Sequence, residues 1–338
     1  MYLRLPTGRS MQIDNNAGIV ITGTALAAGT FVCTNNNSKK SVSHMKKIIP
    51  TVALGLAALG QTQAQELPKA TVVLSASTKS MKIYTLVAPD EMFANTSHVI
   101  ELPHQLVVVD GQFFAPYGRQ LRAFTDSLKK PVTRFYISHD HPDHYLGFGD
   151  AFPDVEVYAL AETKANIEKD GQETLKGRQQ QFGAIIANTV NAPKHIQQEG
   201  QEVIDGVTFI FERSTDNEAA VSLVIKLPEA NTYIAQDIIY NRIHLFIAGS
   251  TAGWQKALNK VEKERQYTVI LPGHGRPAGR DVIGEDLKYL DFVNKTLASS
   301  ESKKEYKSKM LMAYPDYGGA ALLDIYLNYY LKKDWKEK

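Results

Sequence analysis

The chain has 338 residues, of which 43% are hydrophobic and 22% are charged, with a formal net charge of +2. These proportions are close to globular averages, so they exclude extended disorder and allow a large hydrophobic core. Residues 1–64 hold six basic residues and one acid, and the remainder has a net charge of −3. Residues 65–338 therefore lack the clustered positive charge that a nucleic-acid partner requires.

The N-terminal segment has the pattern of a secretory signal peptide. The basic pair Lys46 and Lys47 precedes an apolar run of 12 residues, 48–59, and Ala64 is a candidate cleavage position. Twelve residues are too few to cross a hydrocarbon core of roughly 30 Å. We therefore expect a periplasmic or secreted protein whose mature chain has no stable membrane span. An uncleaved anchor or a buried helix is the alternative.

Residues 1–44 precede this segment, and we interpret them as the product of a translation start placed too far upstream, since Met45 would open a signal peptide. They contain Cys33, the only cysteine. A mature chain from about Gln65 would have no thiol, which excludes a cysteine nucleophile and a cysteine metal ligand. We expect residues 1–64 to lie outside the fold and residues 65–338 to form one domain with a helical C-terminal tail.

Strand and helix patterns alternate along this domain, which predicts a layered α/β structure. The predicted strands are 70–76, 81–87, 97–102, 105–110, 132–137, 202–204, 207–211, 222–227, 232–234 and 268–271. The predicted helices are 119–129, 162–170, 171–187, 255–265, 281–298 and 322–331. Turn residues at 205–206 and 228–231 join the strands of two predicted hairpins.

A loop directly after the buried strand 132–137 concentrates metal-binding side chains. Its imidazoles and carboxylates are His139, Asp140, His141, Asp143 and His144. Residues two apart in an extended turn point the same way, so His139 and His141 can share one metal ion. Asp143 and His144 then face a neighbouring position. Nitrogen and oxygen ligands without sulfur favour zinc, with manganese or iron as alternatives.

The spacing of these residues, HxHxDH, resembles the metallo-β-lactamase superfamily, and further motifs follow in that family's order over about 97–293. Asp110 resembles the aspartate that supports the metal loop, Asp237 the aspartate that bridges two metals, and His274 the last histidine ligand. The resemblance implies a four-layer αββα sandwich. It also implies two zinc ions per chain.

One histidine of the family pattern is missing between His144 and Asp237. When Ser222 and Leu223 are aligned with the family's Ser-Leu pair, Glu218 falls at the missing position. A glutamate there resembles the alkylsulfatase branch, and a carboxylate is an acceptable zinc ligand. Asp216 as the ligand, and a solvated hairpin acid at Glu218, remain the alternatives. His195 is the nearest spare imidazole, and its position favours the surface.

Two residues beyond Asp237 are candidates for catalysis. Tyr240 resembles the tyrosine that assists lactone opening in the family's lactonases, although ordinary packing explains a tyrosine there equally simply. His244 has a functional and a structural interpretation of similar weight. Either side chain would stabilise an oxyanion or protonate a leaving group.

The resemblance implies a metal-dependent hydrolase. One metal would be held by His139, His141 and Glu218, and the other by Asp143, His144 and His274, with Asp237 between them. A hydroxide on the metals would attack a small-molecule ester, lactone, sulfate ester or β-lactam, and Asp143 or Asp237 would orient it and carry a proton. The rival hypothesis is a periplasmic metal-binding protein of this fold without turnover.

Overall fold

The computed structural model describes residues 67–331, 333 and 335, together with the backbone of three short strands near the N-terminus. These strands are β1 (Tyr2–Arg4), β2 (Ser10–Ile13) and β3 (Ile19–Thr22), which pair antiparallel in a sheet of their own. The predicted signal peptide lies outside the described residues. Export and the domain boundary at residue 64 therefore stay predictions.

The next seven strands form one mixed sheet. They are β4 (Thr71–Ser77), β5 (Lys82–Val87), β6 (Thr96–Glu101), β7 (Leu106–Val109), β8 (Val132–Tyr136), β9 (Val157–Ala159) and β10 (His195–Ile196). Strands β4 to β7 pair antiparallel in sequence order, and β7 to β10 continue the sheet in parallel. Because parallel strands end at a common edge, the residues that follow β7 and β8 are brought together.

A second sheet of five strands packs on the first. Its strands, in spatial and chain order, are β11 (Gly200–Ile204), β12 (Val207–Thr215), β13 (Val221–Leu227), β14 (Thr232–Tyr240) and β15 (Val269–His274). The first four pair antiparallel, whereas β14 and β15 run parallel. These last two strands end beside each other, with Tyr240 opposite His274.

The described part of the chain contains seven α-helices. They are α1 (Ala115–Ser127), α2 (Pro142–Tyr145), α3 (Ala161–Phe182), α4 (Thr251–Lys263), α5 (Asp281–Ser299), α6 (Lys303–Ala313) and α7 (Ala320–Tyr329). None of the helices in the described part of the chain is both long and apolar enough to cross a membrane.

The alternation of side chains along the strands separates three hydrophobic cores. On β7, Val107 and Val109 pack against Phe209 of the second sheet, whereas Val108 packs beneath α1 and α3. A third core joins Tyr233 on the far face of the second sheet to α4, α5, α6 and α7. Two sheets between two helical layers confirm the predicted four-layer αββα sandwich.

Several elements differ from the sequence predictions. Helix α3 runs unbroken through Gly171, where two helices were predicted, and Gly171 is buried beside Val190 and Tyr145. Strand β14 extends six residues beyond the predicted end at Ile234 and reaches Tyr240. Strands β9 and β10 and helices α2 and α6 were not predicted. Helix α6 begins with a charged sequence and buries Tyr306 and Met310.

Candidate metal centre

The residues of the predicted site converge at one edge of the sandwich. Strands β7 and β8 end there, followed by Asp110 and by the loop 138–141 that leads into α2. Strands β14 and β15 end at the same edge in the second sheet. The turn between β12 and β13 is joined to the loop by Leu223, whose backbone N–H donates to Ser138 O at 2.8 Å. Both sheets therefore contribute ligands to one centre.

The first candidate ligand group contains His139, His141, Glu218 and Asp237, with ligand atoms within 4.8 Å of one another. Glu218 Oε1 lies 3.0 Å from His141 Nδ1, and Glu218 Oε2 lies 3.5 Å from His139 Nε2. Asp237 Oδ2 lies 3.9 Å from His139 Nε2. Two imidazoles and two carboxylates therefore surround one point.

The second group contains Asp143, His144, Asp237 and His274, again within 4.8 Å. Asp237 Oδ1 lies 3.2 Å from His144 Nε2, and its Oδ2 lies 3.3 Å from His274 Nε2. Asp143 Oδ2 lies 3.2 Å from His274 Nε2. Asp237 belongs to both groups, so its carboxylate stands where a ligand bridging two metal ions would stand.

The polar atoms that face the centre of the two ligand groups are suited to bind metal ions. Five of them are buried and have no hydrogen-bond partner among the described residues: His139 Nε2, His144 Nε2, Glu218 Oε1, Glu218 Oε2 and Asp237 Oδ1. A buried polar atom without a partner costs about 1–3 kcal/mol, and more when it is charged. Coordination of a cation would offset that cost. Nitrogen and carboxylate donors in sets of three or four are the donors that zinc takes.

Hydrogen bonds behind the ligands fix which ring nitrogen faces the centre. His144 Nδ1 donates to Asp110 Oδ2 at 2.8 Å, and His274 Nδ1 donates to Phe93 O at 2.7 Å. His139 Nδ1 donates to Ser138 Oγ at 2.9 Å, and that hydroxyl donates to Asp110 Oδ2 at 2.6 Å. Each of these histidines therefore presents Nε2 to the centre, as metal-binding histidines do.

A buried polar chain extends from Asp110 across the first sheet, and sequence analysis missed it. Gln236 donates to Asp110 and accepts at 2.7 Å from His98 Nε2, while Thr85 Oγ1 lies 3.0 Å from His98 Nδ1. Burial lowers the pKa of His98 to about 4, so the ring is neutral and one nitrogen accepts from Thr85. The sequence could have pointed to Gln236, because this residue precedes Asp237. Nothing in the sequence of strand 96–101 indicates a role for His98.

Burial shapes the electrostatics of the centre when no cation is present. Burial raises the pKa of Glu218 to about 7, although the nearby His141 acts to lower that pKa. Burial also lowers the pKa of His139, and the charges of His144 and His141 add to that effect. Burial opposes the charge on His141, but the Glu218 carboxylate raises the pKa of that ring to about 9. The cluster thus holds crowded, desolvated charges of the kind that metal ions stabilise.

The structure separates the two candidates for the missing ligand. Glu218 is 3% exposed and faces His139 and His141, whereas Asp216 is exposed and belongs to neither ligand group. Asp216 has a left-handed backbone, with φ of 54°, at the start of the turn. Two residues later the chain has turned inward, so the geometry favours Glu218. The alternative of a solvated hairpin acid does not fit its burial.

The remaining predicted residues fall in different places. Tyr240 is buried in the site, where its hydroxyl donates to Asp237 Oδ2 at 2.9 Å and its ring stacks on His274 with centroids 4.6 Å apart. His244 Nδ1 instead lies 2.8 Å from the Tyr289 hydroxyl. His244 is outside both ligand groups and the cavity above them as the described residues define these, so its contacts give a catalytic role no support. His195 is exposed beside Glu156, as expected.

Fold and site together define a class: an αββα protein with a candidate two-metal centre at the edge of its sheets. The sequence matches the model of the metallo-beta-lactamase superfamily over residues 91–274, which is more than half of the chain. The chain therefore belongs to the metallo-beta-lactamase superfamily. The match begins just before β6 and ends at His274, so it includes every candidate ligand.

Solved structures show the same fold at low sequence identity. A metallo-beta-lactamase from Pontibacter korlensis is 16% identical, with a TM-score of 0.52, and the alignment covers 65% of this chain and 99% of that one. The metallo-beta-lactamase FIM-1 from Pseudomonas aeruginosa, in its mono-zinc form, is 19% identical, with a TM-score of 0.50 and coverages of 67% and 97%. A search of curated proteins returned no significant match.

Proposed function

We propose that this protein is a metal-dependent hydrolase that binds two zinc ions. The observation that carries the proposal is the sharing of Asp237 between two ligand groups, each built from imidazoles and carboxylates with unpaired buried atoms. When bound, zinc would lower the pKa of water to about 7 and polarise the bond under attack. Manganese or iron would accept the same donors.

The chain's own residues supply orientation and proton handling. Asp143 is the most exposed carboxylate of the centre, with 23% of its side chain accessible, and lies at the floor of the cavity that a substrate would enter. Asp237 Oδ2 accepts a hydrogen bond from the Tyr240 hydroxyl, and the two carboxylate oxygens face His144 Nε2 and His274 Nε2. Asp143 is therefore placed to accept a proton near the substrate, while Asp237 stays fixed between the metal positions.

The proposal leaves four bonds as candidates: ester, lactone, sulfate ester and β-lactam. The likeness of Glu218 to the third ligand of alkylsulfatases supports a carboxylate ligand at that position. It does not select a sulfate ester, because fold and centre are shared by different chemistries. Substrate choice depends on the cavity above the metals.

Metal content tests the proposal directly. The full chain, reconstituted with zinc and dialysed, should retain close to two zinc ions per chain by mass spectrometry. It should hydrolyse members of a panel of esters, lactones, sulfate esters and β-lactams, and a chelator should abolish that activity. Trace metal after reconstitution contradicts the proposal. Two retained ions without turnover of any panel member would support the rival, a metal-binding protein without catalysis.

Removal of the Tyr240 hydroxyl should slow turnover without removing metal. Burial and the Asp237 charge raise the pKa of Tyr240 well above 10, so the hydroxyl is protonated and donates to Asp237. Tyr240→Phe should lower kcat about tenfold, the equivalent of one lost hydrogen bond of about 1.4 kcal/mol. Tyr233→Phe, a buried tyrosine on the same strand β14 but in the helical core, is the control. Equal kcat in Tyr240→Phe and the native chain contradicts this role.

We also propose that the protein is exported, on the strength of the basic and apolar pattern at 46–59. N-terminal sequencing of the protein recovered from the periplasm or medium should begin near Gln65. A recovered chain that still contains Met1 or Cys33 contradicts both cleavage and the reassigned start.

A further inference from the structure

A cavity of about 530 Å³ opens above the candidate metal centre. Its floor is polar and is formed by ligand residues of both groups, with His141, Asp143 and His274 among them. This volume lies within the range of small-molecule sites, roughly 300–1,000 Å³. The substrate must therefore be a small molecule whose reacting bond reaches the floor.

One wall of the cavity is a cluster of phenylalanine rings. Phe113 lies 6.3 Å from Phe93 and 5.5 Å from Phe182, measured between ring centroids. The backbone oxygen of Phe93 also accepts from His274, so this wall is anchored to the ligand set. The wall presents ring faces and edges to the cavity and offers no polar partner to a substrate.

A second wall of the cavity is built from Phe246 and helix α7. Phe246 lies 6.0 Å from His141 and 5.0 Å from Tyr330, again between centroids, so it joins the ligands to the end of the helix. Ile325 and Leu322 of α7 complete this side. Helix α7 lies beyond the segment 91–274 that matches the superfamily model.

The charged groups at the cavity already have partners. Arg178 donates to Gln181 at 2.7 Å, and both oxygens of Asp324 accept from Lys307 at 2.7 Å. Gln181, Asn328, Tyr329 and Tyr330 also line the cavity, but most of its lining is apolar, so burial of an apolar group there removes its surface from water.

We propose that the substrate is a carboxylic ester or lactone with an apolar acyl group of medium length, seated between the phenylalanine wall and helix α7. Helix α7 is then the element that determines acyl-chain specificity. This inference rests on the proposed hydrolase function for the reaction, but the apolar binding site stands on the cavity alone. Hydrolysis breaks the acyl C–O bond, and water supplies the hydroxyl of the acid and the proton of the alcohol.

The test compares a short and a longer substrate on the zinc-loaded full chain, 4-nitrophenyl acetate and 4-nitrophenyl octanoate. The native chain should prefer octanoate at least tenfold in kcat/KM. Ile325→Trp fills the cavity and should lower kcat/KM for octanoate more than for acetate, so that the preference falls at least tenfold. Asn328→Trp acts from an exposed position one turn along the same helix face, in case the first variant folds poorly. Met312→Trp, at a residue of α6 that is 79% exposed, is the control.

A native chain without chain-length preference, or cavity variants that lose both substrates equally, would overturn the inference. If the zinc-loaded chain hydrolyses neither ester, the carboxylic-ester assignment is overturned, the full substrate panel decides the proposed function, and the cavity is tested separately with 1-octanol by calorimetry. Ile325→Trp should then weaken octanol binding at least tenfold, and Met312→Trp should leave it unchanged. Equal octanol affinity in the native chain and Ile325→Trp would overturn the apolar site itself.

Discussion

Replacing Glu218 by Gln is expected to remove about one of two bound zinc ions and to lower kcat/KM at least 100-fold. The amide keeps the size of the side chain but loses the negative charge that faces His139 and His141. Even the residues behind metal ligands change affinity or activity by about 10- to 100-fold when they are removed, so loss of a direct ligand should cost no less. Zinc content by mass spectrometry and kinetics on the best panel substrate measure both effects.

Two further variants separate a ligand from an ordinary buried acid. Asp216→Asn changes the same charge in the same turn, and Asn tolerates the left-handed backbone there, so zinc content should stay at two. Glu218→His supplies another zinc donor and should restore part of the second equivalent. Loss of zinc in Asp216→Asn but not in Glu218→Gln would move the ligand by two residues. Zinc retained in both would leave the first site with His139, His141 and Asp237 alone.

Much of this site was predictable because its ligands follow strand ends in a fixed order. A buried strand followed by His139 and His141 predicted both the position of the site and its metal-binding chemistry. Asp237 and His274 lie near the ends of two later strands, β14 and β15. The continuous apolar run 106–109 likewise predicted a buried strand, and its side chains are divided between two cores. Local patterns of this kind can be recognised in the sequence because each depends on residues that are close along the chain.

Contacts between distant segments were not predictable. His98 is linked to Asp110 only through Gln236, which lies 138 residues after His98 in the chain. The sequence around His98 does not indicate that partner. The cavity wall from α7 depends on how the C-terminal segment folds back over the ligands. The sequence predicted that one helix ends before Gly171 and another begins there, but α3 continues through this residue, which is buried beside Val190. The structure at such positions is determined by tertiary contacts and not by local sequence propensity.

Asp110→Asn is expected to weaken zinc binding about 10- to 100-fold although Asp110 is not a ligand. With zinc in excess, that loss corresponds to about 1.4–2.7 kcal/mol of stability of the loaded protein. Asp110 Oδ2 receives hydrogen bonds from Ser138, His144 and Gln236, and Oδ1 receives the Ser138 backbone N–H. An amide has a single acceptor oxygen, so in either orientation its NH2 group would face a donor.

Asparagine is the informative replacement because Asp110 has a left-handed backbone, with φ of 60°, that Asn also adopts. Backbone strain therefore does not confuse the result. Asp286→Asn is the matched control, since Asp286 is 1% exposed but accepts the Tyr240 backbone N–H, a bond that the Asn oxygen also accepts. Zinc titration should show weaker binding in Asp110→Asn and unchanged binding in Asp286→Asn. If both variants bind zinc as the native chain does, His144 and His139 are oriented by packing, and the hydrogen bonds behind them contribute little to metal affinity.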